Sequence, residues 1–252
     1  MRDENGRTID YLRISVTDRC NLRCRYCMPE EGVALMNHED ILTYQEILRI
    51  AEAGAGLGIR RVKVTGGEPL VRKGVIQLIR KLTAIDGIQD VTMTTNGILL
   101  GGMAQELAAS GLSSVNISLD TLDPVRFHRI TRRDCFADVM KGIEAAGKSG
   151  LMVKLNCAVM EELCREDVLA FAEYSVKNGI PVRFIEMMPI GQGRKYHAMD
   201  NEELLAVLSE EYSDVRISTE PRGNGPAVYY TFASGAGCIG LMGGIVSCVI
   251  SF

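Results

Sequence analysis

The sequence has no surplus of positive charge: 28 Lys and Arg stand against 32 Asp and Glu, a formal net charge of −4. A dedicated nucleic-acid binder needs a basic footprint to displace phosphate counterions, so the balance argues against that class. A local group of Arg and Lys remains able to hold a small anion. An apolar amino-terminal core is also missing. Met1-Arg2-Asp3-Glu4-Asn5-Gly6-Arg7 does not read as a secretory signal. There is no internal repeat and no low-complexity linker, and 46% hydrophobic with 24% charged residues is an ordinary globular composition. The three histidines, His38, His128 and His197, have no evident partner in the sequence and read as surface or structural residues.

Without an export signal the expected compartment is the cytoplasm. There the eight cysteines read as metal ligands or free thiols rather than disulfides. Thr231 to Phe252 carries no charge and is long enough to cross a bilayer. Gly235, Gly237, Gly240, Gly243 and Gly244 interrupt it, however, and it follows the strand-like run Ala227 to Phe232. Gly-rich irregular sequence is a poor helix former, so no membrane span is expected.

Short β-type runs alternate with longer helical ones. Strands are expected at 12–16, 61–65, 91–95, 114–119, 153–159 and 182–187, each β-branched or apolar and most bounded by Gly, Asp or Asn. Helices are expected near 74–84, 103–110, 136–149, 166–178 and 201–210. A further one is capped by Thr43 with Glu46 as its capping-box partner and ends near Gly58. Ile47, Ile50, Ala51 and Gly54 have the spacing of one buried helical face.

Six βα repeats imply a parallel sheet covered by helices, open or curled into part of a barrel. Ligands of such sheets sit at the carboxyl ends of the strands. The polar clusters stand there: Thr17-Asp18-Arg19, Gly66-Gly67-Glu68-Pro69, Asn96-Gly97 and Asp120. The 252 residues suffice for one large domain with a small appendage, and the texture changes after Asp214 to short β-like pieces and many glycines. The expected division is 8–212 for the main body and 213–252 for a C-terminal segment.

Cys20, Cys24 and Cys27 fall within eight residues, directly after the first strand. Thiolates suit zinc or iron–sulfur clusters. Structural zinc is usually closed by four protein ligands, and no fourth Cys or His lies nearby. Three ligands on a cubane leave one iron open to a substrate or cofactor. Unrelated buried thiols are the plain alternative, and three in one loop weigh against it.

The Cys-x3-Cys-x2-Cys spacing, with an aromatic before the last Cys, resembles the signature of radical S-adenosylmethionine (SAM) enzymes. That resemblance implies a partial (β/α)6 barrel of α/β class with a short irregular β-containing C-terminal extension. It implies a 4Fe–4S cluster on Cys20, Cys24 and Cys27 whose open iron is chelated by SAM, and a 5′-deoxyadenosyl radical that takes hydrogen from substrate. Gly66-Gly67-Glu68-Pro69, roughly forty residues on, resembles the family's GGEP turn, which meets the methionine amino group. Glycine suits a place where backbone approaches a ligand closely.

Five segments narrow the resemblance to the GTP 3′,8-cyclase family of molybdenum cofactor biosynthesis: Leu12 to Cys24, Val64 to Leu70, Thr94 to Gly97, Asn116 to Leu122 and Arg183 to Pro189. Matched position by position, Tyr26, Gly67, Ser118 and Met188 would contact SAM, and Arg13, Lys63, Thr94 and Lys154 would face GTP. Lys63 stands where the family often has Arg, keeping the charge without the bidentate fork. Arg183 is a further cation on a strand. For each basic residue alone, a solvent-facing strand charge is the ordinary reading: alternation can turn Lys154 outward as readily as inward. Met188 is equally at home filling a core gap. The implied activity is conversion of GTP to (8S)-3′,8-cyclo-7,8-dihydroguanosine 5′-triphosphate, with an electron donor, and a homodimer is among the expectations.

The family also carries a second cysteine triad near its carboxyl terminus, with arginines that contact the nucleotide. Cys238 and Cys248 do not form a Cys-x2-Cys pair, and Cys135, Cys157 and Cys164 do not fit the pattern. The expectation is therefore one cluster, a C-terminal cluster region that is missing, and impaired cyclisation. A radical SAM enzyme for another substrate such as a peptide, and a non-catalytic metal-binding homologue, stay open.

Overall fold

The computed structural model describes residues 4, 6, 8–161, 163–187, 199–220, 227–233 and 237–243. In chain order its elements are β1 (Tyr11–Ser15), α1 (Tyr44–Gly56), β2 (Arg61–Thr65), α2 (Val75–Thr83), β3 (Asp90–Thr95), α3 (Leu100–Ala109) and β4 (Ser114–Ser118). These are followed by α4 (Pro124–Thr131), α5 (Phe136–Lys148), β5 (Met152–Val159), α6 (Arg165–Asn178) and β6 (Val182–Glu186). The last elements are α7 (Asn201–Glu211), β7 (Arg216–Ile217), β8 (Val228–Thr231) and β9 (Cys238–Met242). The chain divides into two compact units, the first made of 1–23, 29–117 and 135–153, the second of 24–28, 118–134 and 154–252.

In the first unit β1, β2, β3 and β4 pair in that order, all parallel. Val62 and Val64 on β2 and Val91 and Met93 on β3 are buried, while Lys63, Thr92 and Thr94 between them are half-buried. The period of two thus gives each strand an apolar face and a polar one. Register then sets Arg13 beside Lys63, and Lys63 beside Thr92, with Thr94 one repeat further along β3.

Helix α1 starts as the capping box requires: Thr43 Oγ1 accepts from Glu46 N at 3.3 Å and Glu46 Oε2 accepts from Thr43 N at 2.7 Å. Its buried face is Ile47, Ala51 and Ala55. Ile50, expected on that face, is 44% exposed. The i, i+4, i+8 row won over the i+3 neighbour because α1 presents only a narrow stripe to the sheet.

In the second unit the pairing order is β5, β6, β9, β8, β7. The β5–β6 and β6–β9 pairs are parallel, and the β9–β8 and β8–β7 pairs antiparallel. On β5, Leu155, Cys157 and Val159 are buried while Lys154, Asn156 and Ala158 are half-buried on the opposite face, and register places Asn156 beside Arg183 of β6. The C-terminal extension expected from the sequence is therefore a set of strands, with the late β9 lying directly against β6. Ser175 on α6 fastens it, its hydroxyl donating to Cys238 O at 3.1 Å and accepting from Cys238 N at 3.0 Å. Helix α4 lies outside the helices expected from the sequence. Asp123 caps it through Arg126 N at 2.7 Å and Pro124 opens it, a start signal that its short basic body obscured.

Phe171 of α6 and Phe184 of β6 are fully buried and meet edge to face, centroids 5.9 Å apart. Phe184→Ala removes both packing and that contact and is expected to cost about 3–5 kcal/mol. Urea unfolding of the two proteins side by side checks it; a loss below about 1 kcal/mol would show that this pair is not a core contact.

Candidate functional site

The first unit builds its polar end from three consecutive strand–loop junctions. After β2 the backbone continues against the segment leading to Cys20: Gly67 N donates to Thr17 O at 2.6 Å and Glu68 N to Arg19 O at 2.8 Å. A Cβ on Gly67 would run into the carbonyls of Arg19 and Asp18, so only glycine permits this approach. Glu68 then turns inward. At 1% exposure its carboxylate accepts from Leu70 N at 3.0 Å, Thr95 Oγ1 at 2.8 Å and Asn96 N at 2.7 Å. Burial pushes the Glu68 carboxyl above its ordinary range, and these donors pull it back.

Asn96 carries the connection onward. Its side-chain nitrogen donates to Asn21 Oδ1 at 2.7 Å and lies 3.9 Å from Cys20 Sγ, while Leu22 N donates to the same sulfur at 3.4 Å. Arg23 braces the stretch through the carbonyls of Cys20 and Leu22, both at 2.8 Å.

The second unit holds Cys24, Tyr26 and Cys27. Cys24 O accepts from Cys27 N at 2.9 Å and from Met28 N at 3.0 Å, a tight turn. Tyr26 is anchored by a buried carboxylate: its hydroxyl donates to Asp120 Oδ2 at 2.9 Å, and Ala158 N donates to Asp120 Oδ1 at 2.9 Å. Burial raises the Asp120 carboxyl from 3.8 to about 6, opposed by the Ala158 and Tyr26 hydrogen bonds. The Tyr26 phenol is pushed well up, first by burial and then by Asp120. Arg25 N donates to Ile130 O at 3.0 Å and Arg132 Nη1 to Met28 O at 3.2 Å, so α4 and its C-terminal turn also hold the cysteine turn.

The sequence-derived residues thus fall into two groups. Arg13, Lys63 and Thr94 lie on one face of β1–β3, with Gly67 and Cys20 at the adjoining junctions of the same unit. Cys24, Tyr26, Cys27, Ser118 and Lys154 belong to the second unit, where Lys154 shares the polar face of β5–β6 with Arg183. Met188 lies outside the described residues. Sequence reasoning placed Glu68, Asn96 and Asp120 at strand ends without giving them partners. The available signal was an ionisable or amide side chain directly after an apolar strand.

Among the described residues no three His, Cys, Asp or Glu are arranged to hold a single metal ion. A single ion bound at about 2.3 Å needs its sulfurs about 4 Å apart, whereas a cubane spreads three thiolates over three irons. The donor chemistry fits the cluster: three thiols in one short segment, one of them already facing N–H groups that suit a thiolate. Also among the described residues, no helix is long and apolar enough to cross a membrane.

The sequence profile of the radical SAM superfamily matches residues 14–175. The chain is 42% identical over 248 residues to the GTP 3′,8-cyclase of Clostridium perfringens strain SM101, covering 98% of this chain and 77% of that protein. It is 47% identical over 251 residues to the GTP 3′,8-cyclase of Heliobacterium modesticaldum, covering 97% and 76%. Among solved structures, SuiB of Streptococcus suis bound to S-adenosylmethionine superposes with a TM-score of 0.63 at 20% identity, over 80% of this chain and 46% of that one. The protein anSMEcpe with bound AdoMet gives 0.59 at 19% identity, over 79% and 59%. The chain thus spans less than two thirds of either solved protein, and the likeness shows the α/β fold expected from the sequence.

Asp120 makes the stability of the fold depend on pH. Its carboxyl keeps a proton to higher pH in the folded protein than in the unfolded chain, so the folded state binds more protons between about pH 4 and pH 6. Its contribution to stability therefore falls as pH rises through that window. Asp120→Asn removes the titration. The stability difference, wild type minus variant, is expected to decline from pH 4 to pH 6 in denaturant melts at several pH values; a flat difference contradicts the assignment.

Proposed function

The chain belongs to the radical SAM superfamily and, within it, to the GTP 3′,8-cyclase family, and from that premise we propose that it converts GTP to (8S)-3′,8-cyclo-7,8-dihydroguanosine 5′-triphosphate in molybdopterin biosynthesis. It is an enzyme, and its family uses SAM and a 4Fe–4S cluster. When bound, these supply hydrogen abstraction by a radical derived from SAM. The single observation that carries the reading is the near-complete coverage of this chain by cyclases at 42–47% identity.

Cys20, Cys24 and Cys27 hold the cluster. Tyr26, Gly67, Ser118 and Met188 contact SAM, Gly67 by backbone: the Glu68 carboxylate is already engaged by Leu70, Thr95 and Asn96, which leaves the Gly66-Gly67 backbone to meet the ligand. Arg13, Lys63, Thr94 and Lys154 face GTP. Within its own unit each lies on the polar face of its strand, which supports this, because a triphosphate requires cations held away from the apolar core. Residues 8–212 form the catalytic body and 213–252 its extension. The partners are GTP and an electron donor. Within these 252 residues the sequence supplies one Cys-x3-Cys-x2-Cys triad, hence one cluster.

Anaerobic reconstitution of the 252-residue polypeptide with iron and sulfide is expected to give a brown protein with about four irons per chain. Cys20→Ala, Cys24→Ala and Cys27→Ala should each lose that iron. A value near eight refutes the single cluster, and a colourless zinc protein refutes the assignment altogether.

With SAM, dithionite and GTP the loaded protein is expected to release 5′-deoxyadenosine together with the cyclised nucleotide. Lys63→Ala and Lys154→Ala should each weaken GTP binding roughly tenfold or more, as befits a charge-assisted contact. Calorimetry reads this directly. Deoxyadenosine without GTP binding would instead indicate another substrate.

A further inference from the structure

We infer that Asn96 is a positioning residue for the Cys20 thiolate, an amide donor locked toward that sulfur by Glu68, and that it sets how readily a cluster held there is reduced. The inference rests on Cys20 being a cluster ligand.

The lock has three parts. The Asn96 backbone is fixed because its N–H donates to Glu68 Oε2 at 2.7 Å, inside a buried carboxylate that also takes Thr95 Oγ1 and Leu70 N. The side-chain orientation is fixed because its carbonyl oxygen accepts from Ile98 N at 3.1 Å while its nitrogen donates to Asn21 Oδ1 at 2.7 Å. Flipping the amide would set its NH2 against the Ile98 N–H, a donor facing a donor. An NH2 group has two hydrogens. With one committed to Asn21, the other is left for Cys20 Sγ, 3.9 Å away, a sulfur that Leu22 N already approaches at 3.4 Å.

A plain loop-stapling role would need only the Glu68, Ile98 and Asn21 contacts. It would not need the amide nitrogen set 3.9 Å from Cys20 Sγ. N–H donors to a ligating sulfur stabilise the more negatively charged, reduced state of a cluster, so their removal lowers its potential. Electron transfer moves one electron onto the cluster from an external reductant, and no proton or atom passes through Asn96.

The experiment is an EPR-monitored reductive titration of the reconstituted holoprotein with dithionite and redox mediators, without SAM or GTP, on wild type, Asn96→Ala and Asn96→Asp, with iron counted in each. Asn96→Asp keeps the size and the acceptor for Ile98 N but cannot donate, and Asn96→Ala removes the donor without adding charge. Both are expected to keep their iron and to become roughly tenfold harder to reduce, about 59 mV more negative for one electron, with Asn96→Asp shifted further. Unchanged potentials overturn the inference, as does a shift in Asn96→Asp alone, which would be a charge effect. Should Asn96→Ala fail to hold iron, the Asn96→Asp potential is compared with that of Asn96→Leu, a neutral side chain of similar size that cannot donate; a shift in the same direction supports the inference and none overturns it. A wild-type protein that holds no cluster defeats the underlying assignment instead, and is distinguished by its iron content.

Discussion

Period-two alternation along β2, β3 and β5 is the constraint that decides where the charged strand residues can lie. Strands of a sheet buried on both faces read as nearly continuous apolar runs. Here Arg-Val-Lys-Val-Thr on β2 and Val-Lys-Leu-Asn-Cys-Ala-Val on β5 put Val, Leu and Cys on one side and Lys, Thr and Asn on the other. The apolar side is the core, sealed by helices such as α2 with Val75, Leu78, Ile79 and Leu82. The polar side cannot be packed with hydrocarbon without stranding its charges. A one-residue slip in register would exchange the two sides, which makes the pairing strongly specified.

Each unit adds one buried carboxylate at a strand end, and each carboxylate fixes part of the cysteine segment. Glu68 reaches Asn96 and through it Asn21 and the neighbourhood of Cys20. Asp120 reaches Tyr26, between Cys24 and Cys27. Both carboxyls are raised by burial and both are supplied with donors, so each is a fixed acceptor that orders the loop around it. Within its own unit, each carboxylate thereby preorganises the loop that it holds.

Much of this was legible in the sequence. The six parallel strands fell within a residue or so of their expected bounds, because β-branched runs closed by Gly, Asp or Asn leave little freedom. The capping box of Thr43 and Glu46 was readable for the same local reason. What escaped was non-local. Nothing around Ile50 says that the stripe of α1 narrows, and nothing around Asn96 says that Glu68, 28 residues earlier in the chain, accepts from its backbone. The short helix α4 was hidden by its basic content, although Asp123 and Pro124 announced it.

The order of strands in the second unit bears on how the chain assembles during synthesis. β7 and β8 leave the ribosome before β9, yet in the pairing order they connect to β6 only through β9. Until Cys238–Met242 has emerged, the edge of β6 has no partner on that side and the β7–β8 pair has nothing to join. An unpaired β6 edge is a template for other chains, so a nascent polypeptide paused short of Met242 would be the aggregation-prone species, and the Ser175 clamp on Cys238 would be the contact that ends that exposure.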